Sequence, residues 1–337
     1  MEWVRRSARM EPVRVGVVGL GGFGRQHART LAGIAEAELV AVVARRQASL
    51  DLFEGEVPGI PGWLDLDQAI RESTAEAWVV ATSTAAHVPI TRALLESGAT
   101  VLLEKPVSAS LPEAESLAPL VAPDSNNLML GHIVLFNSEY RQLRQEVQQR
   151  GRPHFMDWVR HRLLANLDRF PGENPMHLTM VHDLYATQAL LDRAEPIAIS
   201  GQVRRNGAGN VTLVLAQLEW EGGLLGHYTA SFMAPSGMPG NGYDRVEIFG
   251  AGWAARMAMN PRPIQVWDTR AIWPMALEIR AEPEGPTGMM AAELRCFCRV
   301  VRGLEPVPMG ATYQDALQVQ RWMLRVEEAY GDGDNEQ

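Results

Sequence analysis

Apolar runs alternate with amphipathic stretches along the first third of the chain. Val13–Gly19 (VRVGVVG), Glu38–Ala44 (ELVAVVA), Ala77–Thr82 (AWVVAT), Thr100–Leu103 and Leu128–Gly131 are short and apolar at successive positions, and the first is rich in β-branched residues. A strand that is apolar on both faces is covered on both faces, as in a parallel sheet. Between these runs, Phe23–Gly33, Leu66–Arg71, Val88–Ser97 and Glu113–Val121 carry helical spacing. Repeated strand–helix units of this length predict an α/β domain, its parallel sheet doubly wound by right-handed crossovers.

The pattern then changes. Ser138–Gln149 and Met176–Leu191 read as helices. Around them lie longer strands: His154–Arg162, Pro196–Arg204, Asn210–Trp220, Gly223–Phe232 and Arg245–Phe249. Glu221-Gly222-Gly223 between two of them is a hairpin signal. This predicts an α+β domain with a large, mostly antiparallel open sheet and helices on one face. Gly288–Arg302 and Tyr313–Tyr330 close the chain as helices. The expected organisation is a loose extension over 1–11, a dinucleotide-binding domain over 12–130, a substrate-binding and oligomerisation domain over 131–330, and a frayed tail over 331–337. The strands Asn210–Trp220 and Gly223–Phe232 are apolar on both alternating sets, including Leu213, Leu215, Leu218, Leu224 and Leu225. A face that apolar is expected to be covered by a second copy, as a homodimer or a homotetramer.

Composition narrows the function. The 337 residues fit two domains, and 46% hydrophobic against 21% charged residues is the balance of a globular protein. The net charge of −9 argues against a nucleic-acid or membrane partner held by bulk charge. No apolar run approaches a membrane span, and Arg5-Arg6 is followed by polar residues rather than an export-signal core. Cys296 and Cys298, two positions apart on a helix, point to different faces, so a disulfide framework is excluded and a reducing, cytoplasmic compartment is expected. Neither a zinc spacing nor an HExxH motif occurs, and no metal is expected.

The chemistry gathers after the strands. Gly19-Leu20-Gly21-Gly22-Phe23-Gly24 follows one strand and opens a helix, the context of a dinucleotide fingerprint on a Rossmann domain. Gly19 permits the tight turn, Gly21 the approach of a pyrophosphate, and Gly24 close helix–strand packing. The second strand ends in Arg45-Arg46, with no acid to accept a ribose hydroxyl. Two guanidinium groups there favour the 2′-phosphate of NADP, with NAD as the alternative; solvated surface arginines are the other reading. Thr82-Ser83-Thr84 and His87 follow the third strand, where small hydroxyl residues can pack beside a cofactor. Glu104-Lys105-Pro106 ends the fourth, placing an ammonium at the same sheet edge.

GVVGLGGFGRQHA, VVATSTAAHVPITRALLESGATVLLEKPVS and GHIVLFN together resemble the Gfo/Idh/MocA oxidoreductases, the glucose–fructose oxidoreductase and inositol dehydrogenase group. The resemblance runs from about Val13 to Phe136. It implies NAD(P)-dependent exchange of a hydride with a hydroxyl or keto carbon of a sugar, cyclitol or related polyol. It also implies that Lys105 orients the reacting oxygen, and that His182 is the general acid/base of an Asp-x-x-x-His helix in the second domain. The pattern departs at Leu178, which stands where the Asp would be. Asp183 lies on another side of the helix, and His177 is one position off. Arg160 and Arg162, on one face of a strand, either hold an acidic substrate or form a solvated surface; His132 and Asn137 are further substrate-binding candidates. A second function stays open: a non-catalytic sensor of sugars or dinucleotides on the same fold. Leu178 speaks for it; the retained Lys105 and His182 speak against it.

Overall fold

The computed structural model describes residues 11–238, 242–260, 266–267, 271–272, 281–282 and 285–331. All of 1–10 and 332–337 lie outside that set, and with them most of the expected extension and tail. The chain divides into two units, 1–133 with 279–314, and 134–278 with 315–337.

The first unit is the expected parallel sheet. Its strands are β1 (Val13–Val18), β2 (Ala37–Val43), β3 (Gly62–Trp63), β4 (Ala77–Val80), β5 (Thr100–Glu104) and β6 (Leu128–Gly131), in the order β3-β2-β1-β4-β5-β6. Every pairing is parallel. The helices α1 (Gly22–Gly33), α2 (Gln47–Glu56), α3 (Leu66–Glu72), α4 (Thr84–Glu96) and α5 (Leu111–Glu115) connect them. The order reverses between β1 and β4, the switch point at which such sheets bind ligands. The strand interiors are fully buried, among them Val15, Val17, Val79, Leu102 and Leu130. At Gly16 the Trp78 indole lies where a Cβ would stand, 2.3 Å away, so only glycine fits. The helix expected over Glu113–Val121 is shorter: it starts at Leu111, stops at Glu115, and gives way to a 3₁₀ turn over Ala118–Leu120 that contains Pro119.

The second unit contains α6 (Ser138–Arg150), α7 (Asn166–Arg169) and α8 (Val181–Leu190). Its sheet is built from β7 (Pro153–Leu163), β8 (Ala198–Arg205), β9 (Val211–Trp220), β10 (Leu224–Ala234), β11 (Gly242–Gly250) and β12 (Trp253–Asn260). The order is β12-β11-β7-β10-β9-β8, with β7 and β10 parallel and the other pairs antiparallel. The hairpin turns at Gly222 and Gly223, both at φ +79°, a conformation that suits glycine. In β9 the alternation is clean. Val214, Ala216, Leu218 and Trp220 are buried; Leu213, Leu215 and Glu219 on the other face are half-buried.

The helix α9 (Gly288–Val301) belongs to the first unit, although the sequence placed it with the second domain. Packing explains the return. A Cβ on Gly33 of α1 would stand 2.5 Å from Pro286, and Arg295 reaches Glu36 at 3.4 Å. Residues 310–312 run back along β6, where Leu130 N–H donates to the Ala311 carbonyl at 2.9 Å. The helix α10 (Tyr313–Gly331) follows, and its Trp322 meets Trp220 edge-on at 6.1 Å.

Arg302, just past α9, grips Glu76 with both η nitrogens at 2.9 and 2.8 Å and donates to the Pro12 carbonyl at 2.9 Å. The Arg302 hydrogen bond outweighs burial and holds the Glu76 carboxyl at about 2, below its usual 4.5. A lowered folded-state value means that the stabilisation is complete above 4.5 and is lost as pH falls from there toward about 2. Glu76→Gln is expected to cost about 1 kcal/mol at neutral pH, discounted for partial exposure. Urea unfolding along a pH series should show the two proteins converging on the acid side; a constant gap would mean that the charge is not the source.

Candidate active site

Three sequence signals fall at the carboxyl edge of the first unit's sheet. The glycine turn follows β1, Thr82-Ser83-Thr84 follows β4, and Glu104-Lys105-Pro106 ends β5. These strands are neighbours, with Val18 level with Val80 and Val80 level with Leu103. The sheet register therefore sets the three segments side by side.

The glycine turn fits a dinucleotide. Gly19 sits at φ +98°, and a Cβ there would stand 2.4 Å from the Ala81 carbonyl oxygen. At Gly24 a Cβ would stand 1.9 Å from the Gly19 carbonyl oxygen, so α1 packs against the turn only without a side chain. At Gly21 and Gly22 the same test meets nothing within 4 Å. That side is open for a ligand to approach the backbone. Gly21 caps α1 with no side-chain hydrogen bond, and no acid lies in the first turn. The helix therefore offers unfilled N–H groups and its positive dipole end to a phosphate. Leu20 is buried, while Phe23 is exposed and meets His27 edge-on at 5.2 Å.

Arg45 and Arg46 are exposed beyond β2, with no ion pair among the described residues. Thr82 and Thr84 are half-buried and Ser83 is exposed. His87 is buried in α4, and its Nδ1–H donates to the Pro106 carbonyl at 2.7 Å. Burial lowers its pKa against that bond, so the ring is neutral near pH 7. His87 thus braces the turn carrying Lys105. The Lys105–Pro106 peptide is cis.

Behind Lys105 lies a cluster that sequence reasoning missed. Glu104 Oε1 accepts from His27 Nε2–H at 2.8 Å, and Oε2 accepts the Lys105 N–H at 3.3 Å. Glu293 of α9 joins them: the three side chains place potential ligand atoms within 4.8 Å of one another, all buried. This is a carboxylate-rich group where no metal site was expected. A sequence signal existed. Glu293 follows Met290 by three positions and precedes Leu294 and Phe297, on the helix face that is otherwise apolar.

The second unit holds His182, half-buried near the start of α8. A π-helical turn over Met176–Met180 leads into it, the Val181 N–H reaching back to the Met176 carbonyl. Such turns recur at functional sites. The Tyr185 hydroxyl accepts the Val134 N–H at 3.1 Å and is hydrogen-bonded to His182 Nδ1 at 2.6 Å. Tyr185 thereby holds the ring at Nδ1. It too was missed, three residues after His182. His177 turns to Glu327 of α10, Nε2 to Oε1 at 2.9 Å, and Leu178 is half-buried.

Arg160 and Arg162 share a face of β7, as alternation requires, but they form neither a solvated surface nor a pair of uncommitted cations. Arg160 is 4% exposed. Its Nε donates to Asp183 at 2.8 Å and its Nη1 lies 3.4 Å from Asp244; Arg162 grips Asp244 with both η nitrogens. Burial pushes the Asp183 carboxyl up, to about 7, against the pull of Arg160. Burial also opposes ionisation of Asp244, but Arg162 and Arg160 outweigh it and hold that carboxyl below its usual range. Asn137 caps α6 by accepting the Tyr140 N–H at 2.9 Å, and His132 Nδ1 bonds the Gly310 carbonyl; both are buried. All four candidates thus have partners within their own units.

Comparison with known proteins agrees with this geometry. Residues 13–132 match the GFO_IDH_MocA family, described as an oxidoreductase family with an NAD-binding Rossmann fold. The chain is 26% identical to myo-inositol 2-dehydrogenase of Thermotoga maritima over 249 residues, 71% of this chain and 73% of that protein. It is 31% identical to inositol 2-dehydrogenase of Leifsonia xyli subsp. xyli over 136 residues, 40% of each. The solved scyllo-inositol dehydrogenase of Lactobacillus casei, with bound NAD(H) and scyllo-inositol, shares its fold. The TM-score is 0.80 at 20% identity, over 96% of this chain and 98% of that one.

Proposed function

We propose that the chain, whose residues 13–132 match the Gfo/Idh/MocA oxidoreductase family, is a member of that family and interconverts a hydroxyl and a keto group on a sugar, cyclitol or related polyol. The observation that carries the reading is the sheet edge itself, where β1, β4 and β5 set the open glycine turn in line with Lys105. NAD(P), when bound, supplies the acceptor or donor of the hydride. The N–H groups at the start of α1 hold the pyrophosphate. Lys105 orients the substrate oxygen and stabilises charge that develops on it. His182 exchanges a proton with that oxygen through Nε2, while Tyr185 holds Nδ1. Leu178 offers no carboxylate to a substrate hydroxyl, the one feature that favours a non-catalytic sensor. Buried, reduced Cys296 and Cys298 fit a cytoplasmic location, which cell fractionation tests.

Nicotinamide absorbance during incubation with a panel of polyols and keto sugars separates enzyme from sensor. With the substrate so found, Lys105→Met and His182→Ala are each expected to lower turnover by ~10²–10⁴ while leaving cofactor binding nearly unchanged. The double variant should lose little more than either single one, because groups acting as one unit are strongly non-additive. Turnover within about tenfold of the parent in both single variants would refute these roles.

Arg45 and Arg46 favour NADP over NAD. Replacing both by Ala should weaken NADP binding by at least about tenfold, since each charge-assisted hydrogen bond is worth about 1.5–3 kcal/mol, and leave NAD nearly unaffected. Equal losses, or tighter NAD binding by the parent protein, would reverse the assignment.

The face of the second sheet turned away from Trp220 carries half-buried Leu213, Leu215 and Leu225, with exposed Phe155 and Phe249 at a ring separation of 6.2 Å. A homodimer or homotetramer covers it. Light scattering at micromolar concentration should report that assembly, and Leu215→Glu should shift it toward monomer; a monomeric parent contradicts the assignment.

A further inference from the structure

The buried cluster beneath Lys105 has a role that the proposed reaction does not yet use. His27 comes from α1, Glu104 from β5 and Glu293 from α9. Both Glu104 oxygens already accept, one from His27 and one from the Lys105 N–H. Gly131 on β6 closes another side: a Cβ there would stand 2.9 Å from Glu104 Oε1. Glu293 is different. It is 0% exposed, and neither of its oxygens has a hydrogen-bond partner among the described residues; the same holds for His27 Nδ1. An ionised carboxylate in that state would carry a large desolvation cost with nothing to offset it.

Two carboxylates this close in a dry site do not both ionise. Glu104, with two donors aimed at it, is the acceptor. Burial, with the Glu104 charge beside it, pushes the Glu293 carboxyl well above its usual range. The proton of the cluster therefore rests on Glu293.

We propose that Glu293 is a positioning residue for Lys105: a neutral carboxylic acid that directs its O–H at the Glu104 carboxylate and, with His27, fixes the Glu104-Lys105-Pro106 turn. The gap within 4.8 Å is closed by a small side-chain rotation or by one bridging water. The inference rests on the reading of Lys105 as the group that orients the reacting oxygen. A divalent cation held by the same three side chains is the competing occupant. The existing His27–Glu104 hydrogen bond, made by two of its three would-be ligands, argues against it.

Two variants test the proposal on the full chain. Glu293→Gln keeps a donor; Glu293→Met keeps the volume and removes it. Infrared spectra near pH 8 should show the carbonyl stretch of a protonated acid in the parent and not in Glu293→Gln. A raised folded-state value means that stability is complete below the ordinary carboxyl range and declines as pH rises toward that value. The melting temperature of the parent should therefore fall more steeply than that of Glu293→Gln between about pH 5 and pH 8. Among the described residues, Glu104 and His27 lie within 4.8 Å of Glu293, and the Cys296 thiol on the same helix would feel its charge. In turnover assays Glu293→Met should fold normally and lose about tenfold or more in kcat, the scale of displacing a supporting residue, with KM and cofactor Kd little changed. Glu293→Gln should recover most of that loss, which a role confined to folding would not produce. Absence of the infrared band in the parent, equal kcat in the two variants, or about one divalent metal per chain that disappears in Glu293→Gln would overturn the proposal. If the parent turns over no polyol, the Lys105 reading fails and the positioning role with it. The spectrum and the pH slope then decide separately whether Glu293 holds the shared proton.

Discussion

The close approach of α1 to the end of β1 is the constraint on which the first unit depends. At Gly24 there is no room for a single methyl group, because the Gly19 carbonyl oxygen would lie 1.9 Å from it. Gly19 in turn is pressed against Ala81, the residue that follows β4. The turn is thus defined by contact between backbones, with glycine at each place where a side chain would separate them. The same geometry leaves Gly21 and Gly22 facing open space. Tight packing on one side and an uncapped helix start on the other are what a pyrophosphate needs, and one six-residue turn supplies both.

Polar residues buried beside this framework do a different job. Ion pairs taken out of water seldom add net stability compared with well-packed apolar residues. They do fix positions, because each alternative arrangement leaves a charge without a partner. Arg160, Asp183, Asp244 and Arg162 tie α8 to β7 and β11 in this way. Glu104 and His27 tie β5 to α1. Each network lies next to a residue assigned to chemistry, Asp183 beside His182 and Glu104 beside Lys105.

Much of this was legible in the sequence, for physical reasons that differ by element. The parallel strands announce themselves because burial on both faces demands runs such as VRVGVVG and AWVVAT. The hairpin at Gly222 and Gly223 was readable because both positions need φ > 0. The strand β12 was not read: Trp253–Asn260 (WAARMAMN) is dominated by alanine and methionine, which carry no strand preference, and it lies at the sheet edge. The helix α4 was read as starting at Val88, yet it starts at Thr84, because Pro89 is accommodated within it. The helix α9 groups with the first unit, and nothing local in the sequence reveals that it packs near α1. The glycine turn and Lys105 were singled out because their signals are local, and His182 because the resemblance carries it. The partners of Arg160 were invisible, lying 23 positions away at Asp183 and 84 away at Asp244 (183 − 160 and 244 − 160).

The direction of His182 follows from these long-range partners. Successive residues of an α-helix are separated by about 100°, so a neighbour that is anchored fixes the azimuth of the residue before it. Asp183 is anchored by Arg160 on the sheet. With that side of α8 committed inward, His182 is turned away from the most buried face and stays half-buried. Tyr185, three positions on, shares the His182 side of the helix and meets its Nδ1. The imidazole is thus positioned by two constraints, the Asp183 anchor one residue on and the Tyr185 hydroxyl at its Nδ1, and position is the first thing a proton-exchanging group needs.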